Sequence, residues 1–384
     1  MGDVAEFSKG SGYSKGDLVE YGTPIILYGR LYTNYETRIS DVDTFVEAKV
    51  GSVYSKGGEV IVPASGETAE DIARAATVDK SGILLGGDLN IVMPNKDINS
   101  SFLAISISSG NPQRELAKKA QGKSVVHIHN EEIKNLVLPF PIKDEQNKIA
   151  SYFCQLDNLI TLHQRKYDKL VMSKKSMLEK MFPKNGQTKP EIRFSGFIDD
   201  WEQRKLGELG TITTGNTPST SIPDYYSDDG IVWVTPTDIC ENITFESARK
   251  LSDLGQQVGR VVPKNTILVT CIASIGKNTM LGNTGSFNQQ INGLTPNENK
   301  YDPYFLLTES ALWSAKMKGS AAAGTMQIVN RTEFSELKTW LPSLIEQQAI
   351  GAFFKQLDHL ITLHQRELEK LKKIKLSMLE KMFV

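Results

Sequence analysis

Cysteine and long apolar runs are scarce in this sequence, and each scarcity excludes a class of protein. Three cysteines occur among 384 residues, Cys154, Cys240 and Cys271, and they are odd in number and far apart. They therefore predict neither a disulfide framework nor a Cys-x-x-Cys zinc site. No run of about 20 apolar residues is present, so a transmembrane helix is not expected.

A secretory signal is also missing from the first residues. Met1–Glu6 contains neither a basic region nor an apolar region of the kind that a signal peptide requires. Together with the few cysteines, this predicts a cytoplasmic protein. Hydrophobic residues make up 40% of the chain and charged residues 23%, which is typical of an ordinary folded protein.

Catalytic and nucleotide-binding motifs are absent or incomplete. The chain has no Pro-Pro, which the Asn/Asp-Pro-Pro-aromatic motif of an amine-directed methyltransferase needs. Its two Gly-Lys dipeptides lack the first glycine of a Walker A loop, because Ala117 and Cys271 stand in that position. His127 and His129 without a third ligand indicate a polar strand face rather than a metal site. The sequence predicts a reader or scaffold that holds no cofactor and no metal.

Charge is distributed unevenly along the chain, although the net charge is only -1. Residues 1–142 and 190–345 each carry a net charge of -4, whereas residues 143–189 carry +5 and residues 346–384 carry +2. A chain of this kind meets DNA through local patches, or shares the phosphate contacts with a partner.

The sequence contains an internal repeat. Residues 145–183 and 346–384 share 24 of 39 positions without a gap, at an offset of 201. A fainter match continues outside them, since Gly2–Gly10 lines up with Gly207–Gly215 at an offset of 205. The order is variable block, helix, variable block, helix, which predicts a pseudo-twofold molecule within one chain.

Both repeats show the apolar spacing of a coiled coil. Apolar positions alternate in steps of four and three over more than four heptads, which predicts two long helices packed against each other. Ser343 and Glu346 also form the pattern of a helix-capping box. The predicted seam consists of Ile149, Phe153, Leu156, Ile160, His163 and Leu170 in the first copy and Ile350, Phe354, Leu357, Ile361, His364 and Leu371 in the second.

Two polar residues interrupt each seam at matching positions. These are His163 and His364, and Lys174 and Lys375. A pH switch or an anion site is one interpretation. We favour the other, in which these residues set the register of the helices and the lysines extend out to solvent.

The variable blocks read as mixed α/β segments with many short strands. Examples are predicted strands at 24–28, 59–62, 83–85, 230–234 and 266–270 and predicted helices at 69–76 and 304–317. The predicted organisation is a first block over 1–142, a central repeat helix over 143–183, a linker over 184–200, a second block over 201–342 and a distal repeat helix over 343–384.

These features together resemble the specificity (S) subunits of type I restriction–modification systems. The helix entry from Leu341-Pro342 to Glu346-Gln347 and the Lys-Met-Phe helix ends carry part of the resemblance. Loop motifs carry the rest, namely Ile61-Val-Pro-Ala-Ser-Gly-Glu-Thr68, Gly215-Asn-Thr-Pro-Ser219, Trp233-Val-Thr-Pro-Thr-Asp238, Ala273-Ser-Ile-Gly-Lys277 and Phe287-Asn-Gln-Gln290.

The resemblance implies an α+β fold with two mixed α/β target-recognition domains, separated by an antiparallel coiled coil of the two repeat helices. Each domain would read one half of a bipartite, asymmetric DNA site, and the coiled coil would set the spacer. Two methyltransferase (M) subunits would dock on the chain and carry S-adenosylmethionine. Restriction (R) subunits with ATP and Mg²⁺ would complete the nuclease, and the chain itself would be non-catalytic.

Residues that contact DNA are predicted in polar loops of the matching motifs, since their side chains offer the donors and acceptors that base edges require. A role at a strand end or in a turn is the alternative for each of them. The candidates are Tyr28, Arg30, Tyr32, Ser65, Thr68, Thr217, Ser219, Thr235, Thr237, Ser274, Lys277, Asn288 and Gln289.

The two blocks differ at their entry. Because Gly2 aligns with Gly207, block one lacks a counterpart of residues 194–205. This predicts an exposed apolar edge in the first block. Three alternatives to an active DNA reader stay open at this point. They are a coiled-coil adaptor that does not read DNA, an S subunit silenced by its short entry, and an enzyme with an unrecognised site, against which the missing motifs argue.

Overall fold

The computed structural model of the chain describes residues 1–122, 125–184, 186–272, 274–322 and 328–383. The chain divides into two compact units. Unit 1 contains residues 1–165 and 365–384, and unit 2 contains residues 166–364. Among the described residues, no helix has both the length and the hydropathy that a membrane span needs.

Unit 1 is built from short strands and five helices, together with parts of the two long helices. Its strands are β1 Ala5–Lys9, β2 Leu18–Val19, β3 Thr23–Ile26, β4 Arg38–Ile39, β5 Phe45–Val46, β6 Val60–Pro63, β7 Ser65–Gly66, β8 Ala76–Val78, β9 Leu84–Leu85, β10 Leu89–Pro94 and β11 Val126–His127. Its helices are α1 Arg30–Thr33, α2 Ala69–Ile72, α3 Ser100–Ile107, α4 Gly110–Lys119, α5 Asn130–Lys134 and the first part of α6 Lys143–Lys180.

Unit 2 follows the same plan. Its strands are β12 Glu202–Lys205, β13 Gly210–Thr214, β14 Tyr226–Val234, β15 Ile243–Thr244, β16 Lys250–Leu251, β17 Ile267–Thr270, β18 Asn278–Leu281, β19 Gly285–Phe287, β20 Ile291–Pro296 and β21 Lys338–Leu341. Its helices are α7 Leu206–Leu209, α8 Asp253–Val258, α9 Pro303–Ala322, α10 Arg331–Glu336 and the first part of α11 Leu344–Met382.

The largest sheets of the two units have the same topology. The strand order is β1-β10-β6-β8-β4 in unit 1 and β13-β20-β17-β18-β15 in unit 2. The last pair of each sheet is parallel and the other pairs are antiparallel. A second sheet also matches, because β5-β3-β9 and β16-β14-β19 each combine one antiparallel and one parallel pair. The duplication therefore extends from the repeat helices to the variable blocks.

A glycine directly after the matching strands β1 and β13 lets the chain cross the end of the second sheet in each unit. A Cβ atom on Gly10 would lie 1.9 Å from the carbonyl oxygen of Gly86, and one on Gly215 would lie 2.2 Å from those of Phe287 and Asn288. A side chain has no room at either position, so the backbone can approach this closely only at glycine. The two glycines are the last residues of the faint repeat in the sequence.

Each unit has its own apolar core between the sheet and the helices. In unit 1, α3 contributes Leu103, Ala104 and Ile107 to a cluster with Val60, Val62 and Val92 of the sheet. In unit 2, α9 contributes Phe305, Leu306 and Trp313 to a cluster with Ile267, Val269 and Leu294. The short strands read as continuous apolar runs because both of their faces are covered.

The two long repeat helices pack antiparallel within each unit. In unit 1, α6 and α11 meet through Phe153 and Phe383, whose ring centroids lie 6.3 Å apart. In unit 2, they meet through Phe182 and Phe354, with centroids 6.1 Å apart. Of the predicted seam, Phe153, Leu156, Ile350, Phe354 and Leu357 are buried, and Ile149, Ile160, His163, Leu170, Ile361, His364 and Leu371 are half-buried.

Reciprocal ion pairs cross the helix pair, one in each unit. Lys375 Nζ lies 2.5 Å from Asp157 Oδ1 in unit 1, and Lys174 Nζ lies 2.5 Å from Asp358 Oδ1 in unit 2. The second oxygen of each aspartate accepts a hydrogen bond from the folded domain, from Thr37 Oγ1 in one unit and Tyr304 Oη in the other, at 2.9 Å in both. The lysines do not extend to solvent as predicted, because each aspartate lies on the facing helix within reach.

Buried glutamines attach the start of each long helix to its domain. Gln146 Oε1 accepts a hydrogen bond from Asn99 N at 2.9 Å, and Gln347 Oε1 accepts one from Asp302 N at 3.0 Å. The amide nitrogens donate to the carbonyl oxygens of Pro141 and Pro342. The helix entry is therefore built identically in the two units.

Two local predictions are wrong. The helix expected over 69–76 ends at Ile72, because Ala76 begins strand β8 in the centre of the sheet. The capping box at Ser343 forms only on one side, where Glu346 N donates to Ser343 Oγ at 3.4 Å. The Glu346 carboxylate instead accepts two hydrogen bonds from Arg193, each 2.7 Å long. The predicted domain boundaries stay predictions.

Candidate nucleic-acid interface

Four of the predicted motifs meet at one edge of unit 2. Strands β14 and β19 run parallel and end side by side, with Val234 paired to Phe287. Asn288 N donates to Val234 O at 3.0 Å, and Asn216 N donates to Phe287 O at the same distance. We call the loop residues 215–219, 235–238, 274–277 and 288–290 the polar edge of unit 2. Ala273, the first residue of one motif, lies outside the described residues.

Some motif residues hold the polar edge together. Asp238 Oδ2 accepts hydrogen bonds from Thr235 N at 2.8 Å and Thr235 Oγ1 at 2.6 Å. Asn288 is buried, and its side chain bonds the main chain and side chain of Gln290. Thr235 and Asn288 therefore have the structural role in a turn or at a strand end, the alternative to DNA contact, because their polar atoms are already hydrogen-bonded within the protein.

The other candidates at this edge present their side chains to solvent. Thr217, Ser219, Thr237, Ser274, Lys277 and Gln289 are all exposed. Thr217 Oγ1 donates to Gln289 Oε1, and Lys277 Nζ donates to Pro236 O at 3.0 Å. Four neighbouring loops thus display hydroxyl, amide and ammonium groups together, which are the groups that contact base edges and phosphates.

Two arginines near this edge, Arg249 and Arg260, were not among the predicted DNA-contacting residues, because they lie in none of the recognised motifs. Exposed Arg260 donates from Nη1 to Thr214 O at 2.6 Å, and its backbone N donates to Asn216 Oδ1 at 2.8 Å. The guanidinium of Arg249 lies 5.6 Å from the ring centroid of Tyr226. Both arginines come from segments that are distant in sequence from the loop motifs, so pattern reading gave no signal for them.

Unit 1 has a corresponding edge with a different composition. Strands β3 and β9 run parallel and end with Ile26 beside Leu85, and Ser11 N donates to Leu85 O at 2.9 Å, as Asn216 does in unit 2. Gly86 and Gly87 follow β9 where Asn288 and Gln289 follow β19. This edge therefore offers fewer side-chain donors and acceptors than its counterpart.

Three of the candidates in unit 1 lie together. The rings of Tyr28 and Tyr32 form an edge-to-face pair with centroids 6.2 Å apart. Tyr32 Oη donates to Ser65 O at 2.6 Å, and burial raises the pKa of the Tyr32 hydroxyl. Ser65 is buried and its Oγ lies 3.1 Å from His127 Nδ1. Exposed Tyr28 is thus the member of this group that presents its ring to solvent.

The remaining candidates in unit 1 have local partners. Arg30 is paired with Glu36 and Asp43, each at 2.9 Å, so two carboxylates already offset its charge. Thr68 caps helix α2 by accepting from Asp71 N at 3.1 Å. His127 and His129 stack with centroids 6.5 Å apart, and no cluster of three metal-binding side chains occurs in the part of the chain that the structure describes.

The chain is a duplicated α/β protein in which each unit combines a loop edge at the end of its second sheet with one end of an antiparallel helix pair. A family model described as the type I restriction modification DNA specificity domain matches residues 1–172 and 198–373. The chain belongs to this family, and the resemblance predicted from the repeats and loop motifs is confirmed.

Relatives and one solved structure agree with this assignment. The chain is 28% identical over 197 residues to the type I restriction enzyme MjaIX specificity subunit of Methanocaldococcus jannaschii, a match covering 48% of this chain and 44% of that protein. It is 24% identical over 367 residues to the MjaVIII specificity subunit of the same organism, covering 91% and 83%. The crystal structure of a type I restriction-modification system S subunit from M. genitalium has a TM-score of 0.69 at 14% identity, covering 100% and 94%. The predicted α+β fold with two α/β domains and two long helices is confirmed.

Proposed function

We propose that this chain is the DNA specificity subunit of a type I restriction–modification complex. The single observation that carries the proposal is the duplicated fold, in which matching sheets of the two units end in loop edges of different composition. Each unit reads one half of a bipartite site, and the site is asymmetric because the two edges differ in composition. The exposed threonine, serine, glutamine and lysine side chains of unit 2 contact bases and phosphates.

The two repeat helices serve as spacer and as docking surface for two M subunits. The way in which the helices are attached to the two units supports this role. A buried glutamine fixes the start of each helix to its domain, and in each unit an ion pair joins that helix to the facing one. S-adenosylmethionine belongs to the M subunits, which flip and methylate adenine, and ATP and Mg²⁺ belong to the R subunits. The net positive repeat segments supply part of the phosphate contacts.

Sequencing of N6-methyladenine in cells with and without this gene tests the proposal. The expected result is the loss of one split, asymmetric methylation motif. An unchanged set of methylated motifs would support the adaptor or the silenced subunit instead. Salt-sensitive binding of the chain to one bipartite duplex, in the presence of M subunits, separates a DNA reader from an adaptor, since an adaptor binds none.

Single substitutions sharpen the test. Gln289→Ala and Lys277→Ala alter the polar edge of unit 2, so they weaken or relax readout of one half of the motif and leave the other half unchanged. Lys264→Ala removes an exposed lysine outside this edge and serves as the matched control. Insertion of whole helical turns into both repeats is expected to lengthen the spacer while both half-sites persist.

A further inference from the structure

Arg260 lies against the polar edge of unit 2 and is held there by its neighbours. Its Nη1 donates to Thr214 O at 2.6 Å, and its backbone N donates to Asn216 Oδ1 at 2.8 Å. Ser286 Oγ donates to Arg260 O at 3.0 Å. The guanidinium and the backbone of Arg260 are therefore both fixed, so less side-chain freedom is lost when a ligand binds.

The loop that anchors Arg260 is itself fixed. Trp233 Nε1 donates to Asn216 O at 3.0 Å. The next residue, Thr217, donates from Oγ1 to Gln289 Oε1. Arg260 and the exposed side chain of Gln289 thus belong to one hydrogen-bonded network, which has the rigidity that a recognition site requires.

The fold does not require an arginine at this position. In unit 1 the corresponding residue is Val53, whose backbone N donates to Ser11 Oγ at 3.1 Å. Ser11 corresponds to Asn216, because the backbone N of each donates to the carbonyl oxygen of the last residue of β9 or β19. The same backbone contact is thus made with a valine, so the guanidinium of Arg260 is available for another role.

The Nε–Nη2 side of the Arg260 guanidinium is open to a ligand. The side chain is exposed, and no described carboxylate pairs with it, whereas Arg193 and Arg204 both bind glutamates. In Arg193 the matching nitrogens donate to the two oxygens of Glu346, each at 2.7 Å. Because the contact with Thr214 uses Nη1 alone, Arg260 keeps this pair of donors for a group with two adjacent acceptors.

Guanine is the base that matches this pair of donors. In the major groove guanine presents two adjacent acceptors, N7 and O6, whereas adenine, thymine and cytosine each present at most one. A phosphate also presents two acceptor oxygens. The hydroxyl of Thr217 and the amide of Gln289 lie in the same network, so Arg260 belongs to a surface that suits base edges.

We propose that Arg260 reads a guanine in the half-site of unit 2, donating from Nε to one acceptor and from Nη2 to the other. This inference rests on the proposed function and adds the identity of one base to it. Unit 1 has Val53 at the corresponding position and does not read a guanine from there.

Sequencing of N6-methyladenine in cells that express the full chain with its M subunits tests the proposal. Arg260→Val introduces the side chain that unit 1 has, so one guanine–cytosine position of one half-site should accept any base, while the other half-site is unchanged. Arg204→Ala removes an exposed arginine outside the polar edge and is the matched control. An unaltered motif in Arg260→Val would overturn the proposal, whereas the lack of any split motif with the wild-type chain would overturn the proposed function.

Duplexes that contain 7-deazaguanine separate a guanine contact from a phosphate contact. This base lacks the N7 acceptor, so at one guanine it should weaken binding of the wild-type complex about tenfold, and Arg260→Val should show no such loss. A uniform loss of affinity across sequences in Arg260→Val, with a smaller salt dependence and with recovery in Arg260→Lys, would identify a phosphate contact instead and overturn the proposal.

A thermal melt checks that Arg260→Val and Arg260→Lys still fold. The 7-deazaguanine series on the wild-type complex does not depend on either variant. Wild-type binding that is insensitive to the replacement at every guanine of the motif would also overturn the proposal.

Discussion

Unit 1 and unit 2 share one topology but differ in how their long helix is anchored. Both use a buried glutamine and a cross-helix ion pair. Unit 2 adds the Arg193–Glu346 pair, strand β12 and Trp201, none of which has a counterpart among the described residues of unit 1. The glutamine and the ion pair therefore anchor the long helix in both units, whereas the additional contacts reinforce the anchor in unit 2 alone.

The largest difference is expected at Arg193. Arg193→Ala leaves the buried Glu346 without its partner, which should destabilise unit 2 by about 3–5 kcal/mol. Glu145→Ala, the change at the matching exposed position of unit 1, should cost roughly 0.5 kcal/mol or less. The loss of stability in each unit can be measured by denaturation, with hydrogen exchange in residues 344–354 as the probe of unit 2 and in residues 143–153 as the probe of unit 1. Equal costs would show that the anchors do not differ.

A second asymmetry is pH-dependent. Burial raises the pKa of the Glu309 carboxyl to about 8, so unit 2 holds a proton that its unfolded chain releases near the ordinary value of 4.5. Stability should therefore fall as pH rises from 4.5 to 8, by about 5 kcal/mol. Glu309→Gln should remove this slope and stabilise unit 2 above pH 7. Urea midpoints at pH 5 and pH 8.5 test it, and an unchanged slope in the variant would assign the dependence to another group.

The crossing glycines should make the two units respond alike. Gly10→Ala and Gly215→Ala each place a methyl group against carbonyl oxygens, at a cost of about 2 kcal/mol. Gly29→Ala is the control, because a Cβ there meets nothing within 4 Å. Chemical denaturation of the three variants compares them. If Gly10→Ala left the free energy of unfolding unchanged while Gly215→Ala lowered it, the two crossings would not be equivalent.

The smallest effects are expected at the reciprocal ion pairs. Lys174→Met and Lys375→Met should each cost about 1 kcal/mol, since both pairs are partly buried and each aspartate keeps a hydroxyl donor. Double-mutant cycles with Asp358→Asn and Asp157→Asn isolate the coupling. Unequal couplings would indicate that one unit alone sets the helix register.

The sequence was most informative where a repeating pattern covered many residues. The seam from Ile149 to Leu170 was predictable because heptad spacing persists over several turns. The shared strand order was not, since many of its strands, such as β4 and β9, have only two residues and leave no periodicity to detect. Sheet pairing depends on contacts between segments that are distant in the chain.

The candidate site was predictable only as a set of loops. Their convergence in unit 2 follows from the parallel pairing of β14 and β19, which no local pattern indicates. Burial of Asn288 and Ser65, and the pairing of Arg30 with two carboxylates, likewise depend on tertiary contacts. Glu346 was assigned to a cap because its partner Arg193 lies 153 residues away.

The division of both long helices between the units determines the order in which the chain can fold during synthesis. Unit 2 is complete once residue 364 has left the ribosome, whereas unit 1, although its first 165 residues are made earlier, still lacks residues 365–384 at that point. Phe383 and Lys375 close contacts with Phe153 and Asp157 made more than 200 residues before. The first unit to emerge is thus finished after the second, and loss of residues 365–384 would damage the unit that was synthesised first.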